Sequence, residues 1–324
     1  MLINCVAYQK GQKIADIPVG DIGGYIARPD TFVWVALQDP TPTELDQMQQ
    51  NFSLHELAVE DAQHGHQRPK IEEYGASLFC VLHLVEPMRG NLKEFDVGEV
   101  NIFAGSNYVL SVCNRSQQEF SGVRRRCEQE AALLRHGSGF VLYAIMDAVV
   151  DRYFPIIDAF EIELELIEAD IFTKRTDQSN IERLYDLKKR VMVLKYAVAP
   201  LLEATGKLYG GRASAICLGL QDYFRDVVDH LDRINSLVNT MRETTGTAIQ
   251  VNLAMVTIED SEVTKRLAAW ASIFGVWAAL ASIWGMNFQN MPELKWQYGY
   301  AIALCIIICA CALLYWNFRR IRWL

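Results

Sequence analysis

Two long runs near the carboxyl end contain no Asp, Glu, Lys or Arg: Leu267 through Pro292 and Trp296 through Phe318. Each exceeds the roughly 20 apolar residues that a helix needs to cross the hydrocarbon core of a bilayer. The pattern predicts membrane spans at residues 266–287 and 297–318, an outer loop at 288–296 and a basic tail at 319–324. Two other uncharged stretches, Val100 to Asn114 and Thr244 to Ile258, are shorter and carry Gly, Asn, Thr or Gln, so neither reads as a span.

Upstream, residues 1–265 read as an α+β cytoplasmic domain in three parts. Residues 1–115 mix strand and helix. Thr31 to Leu37, Ser77 to Val85 and Gly98 to Phe103 are rich in β-branched and aromatic residues, and Gly105-Ser106-Asn107 followed by Tyr108 to Val112 suggests a hairpin. Thr43 to Asn51 and Leu54 to Ala62 look helical. Residues 116–212 turn to helix: Phe140 to Phe172 has apolar residues at three and four spacing, with Pro155 implying a kink or boundary. Ser179 with Glu182 three positions on has the pattern of a capping box. No proline occurs between Pro200 and Pro292, and 213–265 reads as a stalk helix with Tyr223, Val227, Leu231, Ile234, Val238 and Met241 on one face. Continued through the first span, its roughly 70 residues reach on the order of 100 Å. Such a helix requires a bundle, within the chain or among identical copies.

One face of this helix carries small and weakly polar residues at alternating four and three spacing: Thr257, Ser261, Thr264, Ala268, Ala271, Gly275, Ala278 and Ser282. Trp270, Ile273, Phe274, Trp277 and Trp284 occupy other faces. Close packing of membrane helices accounts for such a stripe, since small residues let backbones approach. So does a pore lined by small side chains in a symmetric oligomer. The stripe begins before the membrane and continues through it, which favours one axial pathway.

Composition separates what the average conceals. The net charge of −8 divides into −11 over residues 1–266 and +3 over 267–324. An acidic body argues against a nucleic-acid partner. Lys265 and Arg266 precede the first span, Arg319, Arg320 and Arg322 follow the second, and the loop between offers only Glu293 and Lys295, so both ends are expected in the cytoplasm. Met1 to Gly20 lacks the basic segment and apolar core of an ordinary secretory signal. Eight cysteines without Cys-x-x-Cys spacing suit a reduced compartment and no zinc cluster. No phosphate loop, nucleophile elbow or dinucleotide fingerprint is present, which speaks against an enzyme or an ATP-driven pump, and no cofactor is expected. His55, His64 and His66 read as structural, and the acids Asp158, Glu161, Glu163, Glu165, Glu168 and Asp170 as a solvated helix face.

At the outer end of the first span stands Gly285-Met286-Asn287, then Met291-Pro292-Glu293-Leu294, an aromatic-rich second span and a tail ending in Trp323-Leu324. In that arrangement the chain resembles the CorA-type magnesium and cobalt transporters. His66-Gln67-Arg68-Pro69-Lys70 and Tyr223 through His230 extend the likeness over nearly the whole length. The resemblance implies a funnel-shaped homopentamer in a bacterial-type inner membrane, passing Mg2+, with Co2+ or Ni2+ as further substrates. It implies a selectivity filter at Gly285, Met286 and Asn287, whose Asn287 amides meet a hydrated cation, and cation attraction at Glu293, with an exposed local pair with Lys295, which would contribute little, as the lesser alternative. Leu267 aligns with a lower apolar gate. Gly275 and Val276 stand where the family usually has a bulky constriction, and a glycine ring cannot form that plug.

The resemblance also implies cytoplasmic Mg2+ sensing between subunits. Asp226 matches one sensing carboxylate; its partner does not align, and Glu86, Asp96 or Glu99 are candidates. A second stalk acid of the family, facing the axis, is replaced by Gln250 on the pore-lining side. Two other functions remain open at this stage: a ZntB-like zinc transporter, against which Met291 to Leu294 speaks, and a membrane-anchored sensor or scaffold that does not conduct.

Overall fold

The computed structural model describes residues 1–88, 91–116, 120–173, 178–209, 214–286, 291 and 296–324. They fall into two compact units: Met1–Phe172 with Ile181–Ala248, and Thr173–Asn180 with Ile249–Leu324.

The first unit holds a seven-stranded sheet: β1 (Leu2–Gln9), β2 (Gln12–Asp16), β3 (Thr31–Gln38), β4 (Lys70–Tyr74), β5 (Ser77–Met88), β6 (Asn91–Ala104) and β7 (Tyr108–Asn114), in the order β2-β1-β3-β7-β6-β5-β4. Central β3 and β7 run parallel, with Val33 opposite Tyr108 and Gln38 opposite Cys113; the other neighbouring pairs are antiparallel. β3 is buried on both faces almost throughout, which is why it reads as a continuous apolar run rather than an alternating one. On one face α1 (Ile22–Ile26), α2 (Pro42–Phe52) and α3 (Glu56–His64) close a core that includes Val33, Val35, Leu45, Met48, Phe52, Val59, Phe79 and Leu110. α2 starts where the sequence dictates. Thr41 caps the Glu44 amide while the Glu44 carboxylate accepts from the Thr41 amide, and Pro42 fills the first helical position.

α4 (Ser121–Gln129), α5 (Ala131–Leu134) and α6 (Ser138–Asp151) follow, and α6 packs against β5, β6 and β7. The expected boundary near Pro155 falls at Arg152; α7 (Tyr153–Thr173) then takes the proline into its first turn, where no backbone donor is needed. α8 (Gln178–Tyr209) is tied back to α7 by Arg190, which donates twice to Glu163 at 2.7 Å, and by Arg183 to Asp170 at 2.8 Å.

The stalk helix begins later than the sequence suggested. Ala213, the expected start, lies outside the described residues; beyond it Ala215–Cys217 form a 3-10 turn and Gly219 has φ +79°, a left-handed conformation that a helix cannot include. α9 then runs unbroken from Gln221 to Trp284. Its buried stripe is led by Phe224 instead of the expected Tyr223, and continues through Val227, Leu231, Ile234, Val238 and Met241.

In the second unit the later part of α9 lies beside α10 (Gly299–Arg320). Ala269 and Ile273 of α9 and Ile307 of α10 are buried between them, the Cys311 thiol approaches the Ile273 carbonyl at 3.9 Å, and the Trp270 and Tyr315 rings stand 6.5 Å apart. Both helices are long and apolar enough to cross a membrane. α10 ends with Trp323 N–H donating to the Phe318 carbonyl and Arg322 N–H to the Arg319 carbonyl, with Arg322 in the left-handed region at φ 60° and the Trp323 ring stacked on Phe318 at 5.7 Å. These bonds and the ring contact define a Schellman termination, with arginine where glycine is usual.

Gly11, in the β1–β2 turn, has φ +79°, and a Cβ there would collide with the Ala131 carbonyl oxygen; Gly75, at φ +65°, faces open space. Gly11→Ala is expected to destabilise the protein by about 2 kcal/mol or more and Gly75→Ala by about 1 kcal/mol or less. Urea unfolding of the two variants checks the ordering, and equal midpoints would contradict it.

Candidate functional site

The residues expected to line a pathway fall on one open side of α9. Gln250, Thr257, Ser261, Thr264, Leu267, Ala268, Ala271, Gly275, Ala278 and Ser282 are all solvent-exposed in the chain. The face that α9 turns toward α10 is Ala269, Ile273, Val276, Leu280 and Trp284, buried or half-buried. At 100° per residue the two sets lie roughly 160° apart around the helix. The stripe is therefore not used to pack α9 against α10. Leu267 sits on its flank, and a Cβ added at Gly275 would meet no atom within 4 Å. Two stripe hydroxyls bond to the helix itself: Thr257 donates to the Leu253 carbonyl at 2.9 Å and Ser282 to the Ala279 carbonyl at 3.2 Å.

At the outer end of α9, Gly285 and Met286 continue with backbone bonds to Ser282 and Ile283 at 3.1 and 3.3 Å, in the tighter i to i+3 pattern of a helix terminus. Asn287 and Glu293, expected as filter and cation-attracting residue, lie outside the described residues, as does most of the intervening loop.

Asp226 stands in a second constellation, inside the first unit. Its carboxylate, that of Asp147 on α6 and a ring nitrogen of His230 all lie within 4.8 Å of one another. Spacing builds the group. Asp226 and His230 are four apart on α9, Asp147 and Asp151 four apart on α6, so each pair shares one helix side. Asp147 is 5% exposed and accepts from the Arg126 guanidinium at 2.6 Å. Asp151 lies 3.9 Å from His230 Nδ1, and this nitrogen is buried without a hydrogen bond. The Asp151 carboxyl is held above its ordinary range by burial first, then by the negative charge of Asp147 and more weakly of Asp226, against the opposing pull of His230 and Arg126. Stability from this group is full below the ordinary carboxyl pKa and lost as pH rises through the raised folded value, so at neutral pH its ionised form is a penalty. Beside the group the Tyr143 phenol is pushed up to about 12, mainly by burial and then by Asp147. A cation among these oxygens would relieve the repulsion.

Asp147 and His230 were not singled out from sequence. The available signal was an aspartate within the apolar run of α6, where an unpaired acid is costly to bury. The candidates in the strand region have local roles: Glu86 accepts from Ser116 at 2.8 Å, and buried Glu99 lies 3.8 Å from Arg115. The histidines do too. His55 caps α3 and stacks on Tyr74, His64 bonds the Glu60 carbonyl, and His66 meets Arg115. Burial pushes the Cys5 thiol up to about 11 and that of Cys217 to about 12, which suppresses the thiolate a metal requires.

A profile of the family described as CorA-like Mg2+ transporter protein matches residues 29–320. The cobalt/magnesium transport protein CorA of Thermotoga maritima is 31% identical over 84% of this chain and 78% of its own length. A Bacillus subtilis protein, the putative metal ion transporter YfjQ, is 28% identical over 90% of this chain and 89% of its own. Among solved structures, the CorA magnesium transporter from Methanocaldococcus jannaschii matches with a TM-score of 0.79 at 17% identity over 100% of both chains. The cytoplasmic domain of ZntB from Vibrio parahaemolyticus gives 0.59 at 13% identity over 78% of this chain and 98% of that one. Those two likenesses concern the fold.

Arg126 compensates the buried Asp147 charge. Arg126→Met is expected to cost about 2–3 kcal/mol, less than a fully buried pair because the guanidinium is partly solvated, and Asp147→Asn in the same chain should restore more than half. Urea midpoints of the four members of this cycle provide the measurement; no recovery in the double variant would mean that Arg126 acts through packing.

Proposed function

As the chain belongs to the CorA-like Mg2+ transporter family, a group of divalent-cation transporters and not enzymes, we propose that it admits Mg2+, and Co2+ or Ni2+ less selectively, through a pore that α9 lines in a homopentamer. The observation that carries this reading is the open stripe from Thr257 to Ser282, turned away from α10 and built of small side chains. A stripe used only for packing against the second span would face α10.

The chemistry suits the ion. Mg2+ gives up its waters reluctantly and prefers oxygen around it. In the proposed arrangement Asn287 amide oxygens ring the outer end of α9 and accept hydrogen bonds from the hydrated ion, holding it more loosely than carboxylates would, so that it can leave. Glu293 raises the local cation concentration near the mouth. A ring of Leu267 closes the inner half by dewetting, and Gly275 adds no second plug. The driving force is electrical: a divalent ion gains about 4.6 kcal/mol per 100 mV of inside-negative potential. The positive charge of Lys265, Arg266, Arg319, Arg320 and Arg322 supports an orientation with both ends on the cytoplasmic side of an inner membrane.

Regulation is proposed at Asp226, with Asp147 and His230 as its neighbours. Cytoplasmic Mg2+ bound there offsets the carboxylate repulsion and favours the closed arrangement; loss of the ion restores the repulsion.

Proteoliposomes loaded with a Mg2+-sensitive dye test the transport reading. Mg2+ entry is expected under an inside-negative potential, with Asn287→Ala abolishing selectivity over Ca2+ or lowering flux at least about tenfold, a loss of roughly 1.4 kcal/mol. No entry with the unaltered chain, or unchanged flux and selectivity in the variant, would overturn it. Asp226→Asn should move the Mg2+ concentration that protects against limited proteolysis upward by about tenfold; an identical protection curve would remove Asp226 from sensing.

A further inference from the structure

A cavity of about 310 Å³ lies in the second unit, lined by Glu262, Lys265 and Arg266 of α9 and by Ile321, Arg322 and Trp323 of the segment that ends α10. Three cations face one acid. Among the described residues none of Lys265, Arg266 and Arg322 makes an ion pair, although the rest of the chain is strongly acidic. The cavity is at the small end of the range for ligand pockets, about 300–1,000 Å³, large enough for a phosphate and a short headgroup and too confined for a nucleotide.

Its position selects the ligand. Lys265 and Arg266 immediately precede the first uncharged run, and Arg322 follows the second by a few residues, so the cations mark the polar ends of both spans. The termination of α10 places them. Arg322 takes the left-handed conformation that turns the chain back, Trp323 stacks on Phe318, and Arg320 lies 5.8 Å over the Trp316 ring. Arginine and tryptophan at a span end, with a lined basic cavity between two helices, are the physical requirements for holding an anionic headgroup whose chains stay in hydrocarbon.

We propose that this cavity binds the phosphate of an anionic glycerophospholipid from the leaflet beside Lys265 and Arg322. Lys265 and Arg266 contact the phosphate from α9 and Arg322 from the end of α10, so that one lipid joins the two spans at their basic ends. The proposal rests on the membrane placement of both helices and is independent of which ion passes.

Native mass spectrometry of the full chain in detergent, titrated with dioleoylphosphatidylglycerol or dioleoylphosphatidylcholine, tests it. The anionic lipid should be retained preferentially. Lys265→Gln with Arg322→Gln should weaken it roughly 30-fold and Arg266→Gln alone about fivefold, with phosphatidylcholine unaffected and Arg28→Gln in the first unit without effect. If the double variant fails to fold, Arg266→Gln carries the same sign by itself. Equal binding of the two lipids, displacement of the lipid by millimolar inorganic phosphate, or undiminished binding by both variants would overturn the proposal; the second outcome would identify a free-anion site. Because this measurement involves no ion flux, its failure leaves the transport reading standing, and failed transport in proteoliposomes leaves the lipid site standing.

Discussion

Every other feature depends on α9 satisfying its own backbone hydrogen bonds without interruption. A chain that passes from water into hydrocarbon finds no solvent partner for an unpaired N–H or C=O, each of which costs several kcal/mol there. The absence of proline from Gln221 to Trp284, and the displacement of the left-handed Gly219 to a position before the helix starts, meet that requirement. A single helix thereby carries Asp226 and His230 in the first unit and the open stripe in the second. A break anywhere between would leave both sets of side chains intact while removing the element that they share.

Side chains then divide the labour around that helix. In the first unit, burial of Phe224, Val227, Leu231, Ile234 and Val238 fixes one face so firmly that the neighbouring Asp226 and His230 have little choice of direction. In the second unit α10 takes only a narrow seam, Ala269 and Ile273 against Ile307, and leaves the stripe free. Segregation of charge follows the same division, with an acidic body joined to a basic pair of span ends.

Sequence made the two long apolar helices legible because their uncharged runs cover whole helices, a signal that a single chain carries in full. β3, β5, β6 and β7 were legible for a related reason: central strands must be apolar. The edge strands β2 and β4, reading Gln-Lys-Ile-Ala-Asp and Lys-Ile-Glu-Glu-Tyr, pair along one side and show no such run. β1 escaped because only Cys5 to Tyr8 of its eight residues are buried. The parallel pairing of β3 with β7, and the meeting of Asp147 with Asp226, join positions more than seventy residues apart. Local pattern holds no record of such contacts. Asp226 was singled out through its motif and is proposed as a sensing residue, whereas its neighbours Asp147 and His230 required the fold that brings α6 beside α9.

The self-bonded hydroxyls of the stripe have an electrical consequence. A serine or threonine that gives its proton to a backbone carbonyl keeps only lone pairs to offer outward. Along the open side of α9, Thr257 and Ser282 thus present oxygen without hydrogen. Water held by a cation points its protons away from the ion and finds acceptors there, while water held by an anion points its protons inward and finds no donor from these two side chains. In the proposed pathway these two helix-internal contacts would give an uncharged surface a preference for cations over anions, without any fixed charge to trap them.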